Sequence, residues 1–329
     1  MGDTSTPIAR RKLAVHGPVV ELDCTVPALA PALDLLLGAF AVPGWPDGFG
    51  ATAGSVRPYE QAEVLRCLSS SARHAGRTPD MMDVYEEDER FWLVDDRWGM
   101  SEINILKGQW RSWVVPQPKL DMLRVAELAV LWPMAQLLRA RGLHLLPAVS
   151  AVRDGFAVLL ICPFGIEPEL TGMIAAGFKI IGQRWTGVRE EDGRLALLHL
   201  PGRIDRATVP RLRSTMSDQE SCFDVTAESP GSWQNHAFCD AVLVAEPGRR
   251  PKAHLRQCES GAAINVLRRA WPILELHPNR RSSQLPSRLA QGCRCYELQL
   301  SRNPKDLLAL LNSLRYTVHA PGEEHSEAA

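Results

Sequence analysis

The sequence has no long uninterrupted apolar run. Its longest apolar stretches are broken by Asp, Arg or Pro, and none contains the roughly 18 apolar residues that a membrane-spanning helix needs. We therefore expect no transmembrane segment and no membrane partner. Residues 1–12 are polar and lack the apolar core of a secretory signal, which favours a cytoplasmic protein.

Charge of one sign is not in excess, since the formal net charge is −1 over 329 residues. This balance argues against a generally basic surface, so neither nucleic acid nor an acidic lipid surface is an expected partner. Basic residues do recur between Arg249 and Arg288 in the last third of the chain. We expect that set to form a solvated surface, with an acidic partner as the alternative.

Closely paired cysteines are also missing, because none of the eight cysteines forms a C-x-x-C pair. Reduced thiols and no metal site are therefore expected. Cys293 and Cys295 could act as ligands, but on a strand they are more simply read as core residues. The run 233–240 places His236 close to a cysteine and an aspartate, which suggests a metal site, a Cys–His nucleophile or, preferably, entry into a buried strand.

The apolar content of 45% is typical of a globular protein and suffices for a sizeable core. The pattern along the chain predicts a small α+β lobe over residues 13–118 and a connecting helix over residues 119–142. An α/β core follows over residues 143–318. Residues 1–12 and 319–329 are predicted to be flexible ends.

Within the first lobe, residues 19–26 are predicted to form a strand and residues 27–40 an apolar helix. The Gly- and Pro-rich residues 41–56 predict a loop, and the spacing over residues 59–75 predicts a helix. Short runs between residues 91 and 115, separated by turns, predict a three-stranded meander.

Tryptophan is abundant, with nine in the chain, and four of them fall in the meander. Trp110 and Trp113 are out of phase for a single sheet face, which predicts a bulge or a sheet that is covered on both sides. These rings are candidates for a partner-binding face, and a compact small core is the alternative.

From residue 143 onward, strands alternate with helices, which is typical of an α/β domain. The predicted strands are residues 143–152, 157–162, 179–182, 195–200, 237–246 and 295–300. The predicted helices are residues 169–176, 261–271 and 304–314.

The informative stretch lies between residues 143 and 206. An Asp-Gly turn leads into an apolar strand, followed by Cys-Pro-Phe-Gly-Ile-Glu-Pro-Glu-Leu (162–170) and a short helix. Next come Gly-Phe-Lys-Ile-Ile-Gly-Gln-Arg-Trp (177–185) and a charged hairpin (189–199). This order resembles the C-terminal domain of HPr kinase/phosphorylase and its bacterial relatives, which share a core with phosphoenolpyruvate carboxykinase.

The resemblance covers about residues 80–316 in layout and implies an HPr-kinase-like core with a phosphate-binding P-loop. In that family the loop has the form G-x-S-G-x-G-K-S, in which backbone N–H groups surround the phosphates, the Lys reaches the terminal phosphates and the last hydroxyl binds Mg²⁺. In loop order, the first Gly, first Ser, retained Gly, next Gly, Lys and Mg²⁺-binding Ser fall on Cys162, Phe164, Gly165, Glu167, Pro168 and Glu169. The resemblance therefore implies a degenerate loop, because proline removes an N–H donor and two carboxylates would repel a triphosphate.

The family's remaining catalytic groups are also replaced. Its two Asp residues, one a base and the other near the metal, fall on Gln183 and Arg184, and its His falls on Pro147. His144 lies three residues earlier and could substitute only if the strand shifted. Arg184 could bind an anion or form a salt bridge with one of the two loop glutamates.

These replacements favour a divergent, non-catalytic HPr-kinase-like protein that acts as a scaffold, regulator or accessory factor for a protein or peptide. No cofactor and no catalytic residue is then expected. The alternative is an atypical ATP- and Mg²⁺-dependent kinase with a rearranged site, or a small-ligand sensor in the old nucleotide pocket. The candidate binding residues are His144, Arg184, His236, Trp110 and Trp113. The resemblance is also compatible with a homo-oligomer.

Overall fold

A computed structural model shows how these segments are arranged. It describes residues 9–43, 52–59, 68–78, 82–115, 120–162, 167–200, 204–205, 222–223, 231–270 and 284–319. In these ranges the chain is a mixed α/β protein that contains several β-sheets and a few helices, which confirms the predicted class at that level. None of the helices in these ranges has the length and hydropathy to cross a membrane.

An eight-stranded mixed sheet is the centre of the first lobe. Its strands are β1 Ala9–Ala14, β2 Val19–Cys24, β3 Thr52–Pro58, β4 Arg73–Arg77, β5 Asp83–Glu87, β6 Arg90–Asp95, β7 Gly99–Asn104 and β8 Gln109–Val114. Their order is β1-β2-β3-β8-β7-β6-β5-β4. The predicted meander forms β6, β7 and β8, and the predicted helix after β2 contains α1, Ala30–Leu37, between two short 3₁₀ turns.

Three predictions for this lobe are wrong. Residues 9–12 were expected to belong to a flexible end, but they lie in β1, which pairs with β2. Residues 52–56 were expected to be loop, yet β3 runs through the sheet and pairs in parallel with β2 and β8. The first four residues of this strand are small, and Gly54 faces the ring of Trp110, which leaves no space for a larger side chain at that position. Residues 73–75 were expected to be helical but belong to the edge strand β4, which is largely exposed. Residues 60–67 of that predicted helix lie outside the described ranges.

The tryptophans of the meander lie on both faces of the sheet. Strands β7 and β8 pair without a register shift, so the two-sided sheet, rather than the bulge, is the correct alternative. Trp110 faces the main core and is 2% exposed, whereas Trp113 packs on the other side against Tyr59, with ring centroids 6.4 Å apart.

The predicted connecting helix is present and nearly fully buried. It consists of α2 Met122–Ala126, a π-helical turn Glu127–Leu131 and α3 Trp132–Arg139. Asp121 begins the helix by accepting hydrogen bonds from the backbone N–H groups of Leu123 and Arg124. The helix packs against the first sheet, where the Ser112 hydroxyl donates to the carbonyl of Ala129 at 2.6 Å.

The second part of the chain contains the remaining strands and helices. The strands are β9 His144–Leu146, β10 Val149–Arg153, β11 Phe156–Ile161, β12 Lys179–Gly182, β13 Thr186–Glu191, β14 Arg194–Leu198, β15 Ile204–Asp205, β16 Cys222–Phe223, β17 His236–Phe238, β18 Ala241–Arg250, β19 His254–Gln257 and β20 Arg294–Ser301. The helices are α4 Glu167–Ala175, α5 Ser260–Ala270, α6 Leu285–Gly292 and α7 Pro304–His319.

A six-stranded sheet in the order β12-β10-β11-β18-β20-β19 is the middle layer of this part. Leu170 of α4 and Leu307 of α7 belong to the apolar cluster on one face of the sheet. The cluster on the other face contains Leu267 of α5, Leu289 of α6 and Leu197 from a four-stranded sheet in the order β17-β14-β13-β9. The sheet is therefore enclosed between two apolar layers.

Two predicted strands are each divided in the structure. Residues 143–152 form β9 and β10, which belong to different sheets and are separated at Pro147, a residue without a backbone N–H for strand pairing. Residues 237–246 likewise divide between β17 and β18.

Candidate functional site

The carboxyl edge of the six-stranded sheet brings Cys162, which follows β11, to the same side of the sheet as Gln183 and Arg184, which follow β12. Strands β11 and β12 both pair antiparallel with β10, so they run in the same direction. Leu159 and Gly182 are both partners of Ser150, which places their strand ends at the same level. Ligands of open α/β sheets bind at this edge. It is therefore the candidate functional site.

Arg184, which follows β12, forms an ion pair that the sequence did not predict. Its Nε lies 3.2 Å from Oε1 of Glu127, whose side chain is only 3% exposed. The other carboxylate oxygen of Glu127 accepts a hydrogen bond from Nη1 of Arg124 at 2.9 Å. The partner of Arg184 is thus supplied by the connecting helix and not by the loop. The side chains of Glu167 and Glu169 lie outside the described residues.

This cluster of Arg124, Glu127 and Arg184, which we call the edge cluster, is partly open to solvent. The arginine side chains are 30% and 47% exposed, respectively. One carboxylate shared by two guanidinium groups leaves a formal charge of +1. Glu127 is the first residue of the π-helical turn in the connecting helix. Such turns often occur at functional sites.

Gln183 directly precedes Arg184 in the sequence, and its side chain is buried, with 5% of the residue exposed. Neither the nitrogen nor the oxygen of its amide has a hydrogen-bond partner. Such a group is destabilising unless something else satisfies it. A neutral amide can bind a ligand by hydrogen bonds, but it cannot act as the base or supply the carboxylate that Mg²⁺ prefers.

The phosphate-loop positions are only partly described. Cys162 is half-buried and packs against the core of the sheet, while Phe164 and Gly165 lie outside the described ranges. Residues 167–169 form the beginning of α4, with Pro168 at its second position. Because proline has no N–H, this helix start offers one donor fewer to a phosphate.

Neither of the two positions at which the resemblance implies an acid beside ATP and Mg²⁺ carries a carboxylate. The position expected to hold a metal-binding acid is Arg184, a cation that is already paired with Glu127. The position expected to hold a second acid is the neutral Gln183. Mg²⁺ is a hard cation that binds oxygen ligands, so a guanidinium opposes its binding.

His144 is the first residue of β9. Pro147, which stands at the position that the resemblance assigns to the family's histidine, directly follows the strand. Burial, reinforced by the charges of Arg139 and Arg288, lowers the pKa of His144 from 6.5 to about 4. The imidazole is therefore neutral at neutral pH, and its environment opposes protonation.

We expect His144 to lower the free energy of unfolding at acidic pH. Its folded pKa of about 4 lies below the unfolded value of 6.5, so the unfolded chain takes up the proton first as the pH falls. Its stabilising contribution is complete above pH 6.5 and is lost progressively as the pH falls from 6.5 through about 4. His144→Gln should recover about 2 kcal/mol of the free energy of unfolding at the acid end of this window.

Urea denaturation at several pH values measures this difference. Parallel stability curves for His144→Gln and the parent chain would contradict the assignment.

The residues of the compact sequence cluster around His236 have separate partners in the structure. Nε2 of His236 lies 2.9 Å from Oε2 of Glu191, whereas Asp240 accepts a hydrogen bond from the backbone of Ala157 at 2.8 Å. Cys239 is 5% exposed. Across the described ranges, no three His, Cys, Asp or Glu side chains are placed to hold one metal ion.

The proposed aromatic binding face is not formed as a unit, because Trp110 is in the core and Trp113 lies on the opposite face of the sheet. The basic set is also partly neutralised. Arg256 pairs with Glu297 and Arg288 pairs with Glu190. Arg280 and Arg281 lie outside the described residues.

The sequence did not identify Glu127 as a site residue. It predicted only that Glu127 belongs to an apolar helix. The available signal was a single acid within Val125-Ala-Glu-Leu-Ala129, where a buried carboxylate requires a partner. The identity of that partner depends on a contact across 57 residues and could not be read from spacing.

No protein-family model matches the sequence, and no curated protein matches it. Among solved structures, the chain is similar to the HPr(Ser) kinase/phosphatase from Coxiella burnetii, with a TM-score of 0.32 and 13% sequence identity. That similarity covers 53% of this chain and 97% of the other.

Proposed function

We propose that this chain is a divergent HPr-kinase-like protein that has lost phosphate transfer and acts by binding a protein or peptide partner. It would serve as a scaffold, regulator or accessory factor. The observation that carries the proposal is the edge cluster, in which Arg184 is paired with the buried Glu127 at the place where a kinase of this type would hold its metal.

The chemistry of the edge cluster supports binding in place of catalysis. Phosphoryl transfer needs a metal to neutralise the phosphates and a base, usually a carboxylate, to accept the hydroxyl proton. Gln183 and Arg184 supply neither group. The cluster retains a formal positive charge and two partly exposed guanidinium groups, which an acidic side chain of a partner would complement through paired hydrogen bonds.

The first test is titration of the whole chain with ATP and Mg²⁺ by calorimetry. We expect no measurable heat of binding at millimolar nucleotide, because the carboxylate of Glu127 in the edge cluster is already paired with two arginines and the loop has no lysine. Binding at micromolar strength that is lost in Glu169→Gln would contradict the proposal and favour the atypical kinase.

The second test concerns the partner. A protein that co-purifies stably should be released by Arg184→Glu, which reverses the charge of the cluster. Arg90→Glu is the matched control, since Arg90 is an exposed cation on the other lobe. Equal retention by both variants would show that the edge cluster is not the binding surface.

A small-ligand sensor remains the second candidate because of Gln183. Its buried amide without a partner could be satisfied by a bound molecule at the carboxyl edge. Nucleotide or anion binding that does not require Mg²⁺ and disappears in Gln183→Leu would favour the sensor over the scaffold.

A further inference from the structure

A cavity of about 870 Å³ lies at the opposite edge of the six-stranded sheet from the candidate site. Cys239 and Asp240 line it just before β18 begins, and Arg294 lines it at the start of β20, which runs parallel to β18. The cavity is therefore at the amino edge of these parallel strands. It is separate from the edge cluster in both position and chemistry.

Thiols are concentrated around this cavity. Of the six free cysteines that the structure describes, four contribute to its wall. They are Cys239, Cys258, Cys293 and Cys295. They come from three separate segments of the chain, so the fold and not the local sequence brings them together.

Cys239 and Cys293 form a pair within this group. Strands β18 and β20 are neighbours with Ala241 opposite Arg294, and the backbone N–H of Arg294 donates to the carbonyl of Asp240 at 3.0 Å. The Cys293 thiol donates to the carbonyl of Cys239 at 3.4 Å. A hydrogen bond to the Cys293 thiol, together with burial, raises the pKa of Cys239 well above its usual value.

The two other thiols are held by different backbone groups. Cys295 donates towards the carbonyls of Leu289 and Cys293, both at 3.7 Å, and burial raises the pKa of Cys295 to about 12. Cys258 donates to the carbonyl of Arg256 at 3.8 Å. Both cysteines line the same cavity and therefore serve as matched controls.

We propose that Cys239 and Cys293 are a reversible dithiol–disulfide site that is oxidised by small-molecule disulfides entering this cavity. The Cys293 thiolate attacks one sulfur of the oxidant RSSR, forms a mixed disulfide and releases RS⁻. The thiol of Cys239 then loses its proton and attacks the Cys293 sulfur, which expels the second RS⁻. In total, two protein thiols and RSSR give one protein disulfide and two RSH.

Exposure sets the order of the two steps. Cys293 is half-buried and reachable from the cavity, whereas Cys239 is 5% exposed. The more accessible sulfur reacts first with a molecule from solution, and the buried sulfur resolves the adduct. Exchangeable disulfides of this kind are known as transient switches even where the surrounding pool of thiols is reduced. The site does not depend on the proposed partner-binding function.

The test uses the whole chain, first fully reduced and then treated with oxidised glutathione, with the modified peptides mapped by mass spectrometry. We expect a single new disulfide, between Cys239 and Cys293, that dithiothreitol reverses. Cys239→Ser should stop at a mixed disulfide of glutathione on Cys293. Cys293→Ser should leave Cys239 unmodified, and Cys258→Ser and Cys295→Ser should behave as the parent chain does.

Thermal denaturation of each reduced variant checks that it is folded, and Cys239→Ala replaces Cys239→Ser if the serine variant is not. A disulfide that joins Cys293 to Cys258 or Cys295 would overturn the proposal. So would a Cys239–Cys293 disulfide that forms only after unfolding in urea, or glutathione found on Cys239 in Cys293→Ser.

Discussion

Replacing Gly54 by alanine should lower the free energy of unfolding by about 3 kcal/mol. A Cβ at this position in β3 would lie 2.0 Å from Cζ2 of Trp110, and two further ring atoms are at 2.2 and 2.3 Å. The Trp110 ring is 2% exposed and packs in the main core of this lobe. Urea denaturation of the two proteins gives the difference directly.

Gly38→Ala is the matched control for this prediction. Gly38 follows α1 with helical dihedral angles, and no heavy atom lies within 4 Å of its added Cβ. This variant should be neutral or slightly more stable. Combining Gly54→Ala with Trp110→Phe should cost less than the sum of the single changes, because the smaller ring removes the clash. Strict additivity would contradict the proposed contact.

Removing the charge of Glu127 should destabilise the protein by about 2 kcal/mol. Glu127→Gln keeps the shape of a side chain that is 3% exposed but leaves Arg124 and Arg184 without their shared carboxylate. The loss is smaller than for a fully buried pair, because both guanidinium groups are partly exposed and can be hydrated.

Glu102→Gln is the control for the charge change. Glu102 lies 3.8 Å from Arg90, whose side chain is 50% exposed, so this pair should contribute less than about 1 kcal/mol. A second check is Arg184→Gln, whose effect should not add fully to that of Glu127→Gln. If Glu127→Gln and Glu102→Gln have equal effects, the edge cluster does not stabilise the fold.

Much of the fold could be predicted from local patterns. The connecting helix was found because its apolar residues occupy almost every face, and the strands of the meander were found because turn residues separate them. Strand β3 was missed because its residues are small and include Gly54, so no apolar alternation marks it. Strand β4 was missed because it is exposed at the edge of the sheet and needs no apolar face.

Only the part of the candidate site that follows the ends of β11 and β12 could be predicted from the sequence. The neighbouring positions of Cys162, Gln183 and Arg184 follow from strand direction, and the resemblance implied them. The partner Glu127 comes from a distant helix, so it required the tertiary structure. The cavity of cysteines was missed for the same reason: Cys239 and Cys293 become neighbours only when β18 and β20 pair.

The eight-stranded sheet has consequences for how copies of this protein behave when they are crowded together. At one border, Lys12 already receives a hydrogen bond from Val42, and Leu13 bridges to Ala41, so the outer side of β1 is partly occupied. At the other border, the register of β4 is interrupted next to Gly76. The guanidinium groups of β4 are engaged with acids of β5, and a foreign strand would have to dehydrate them. The addition of a strand from another copy, which is the step that would extend the sheet into a fibril, is therefore hindered at both edges by different means.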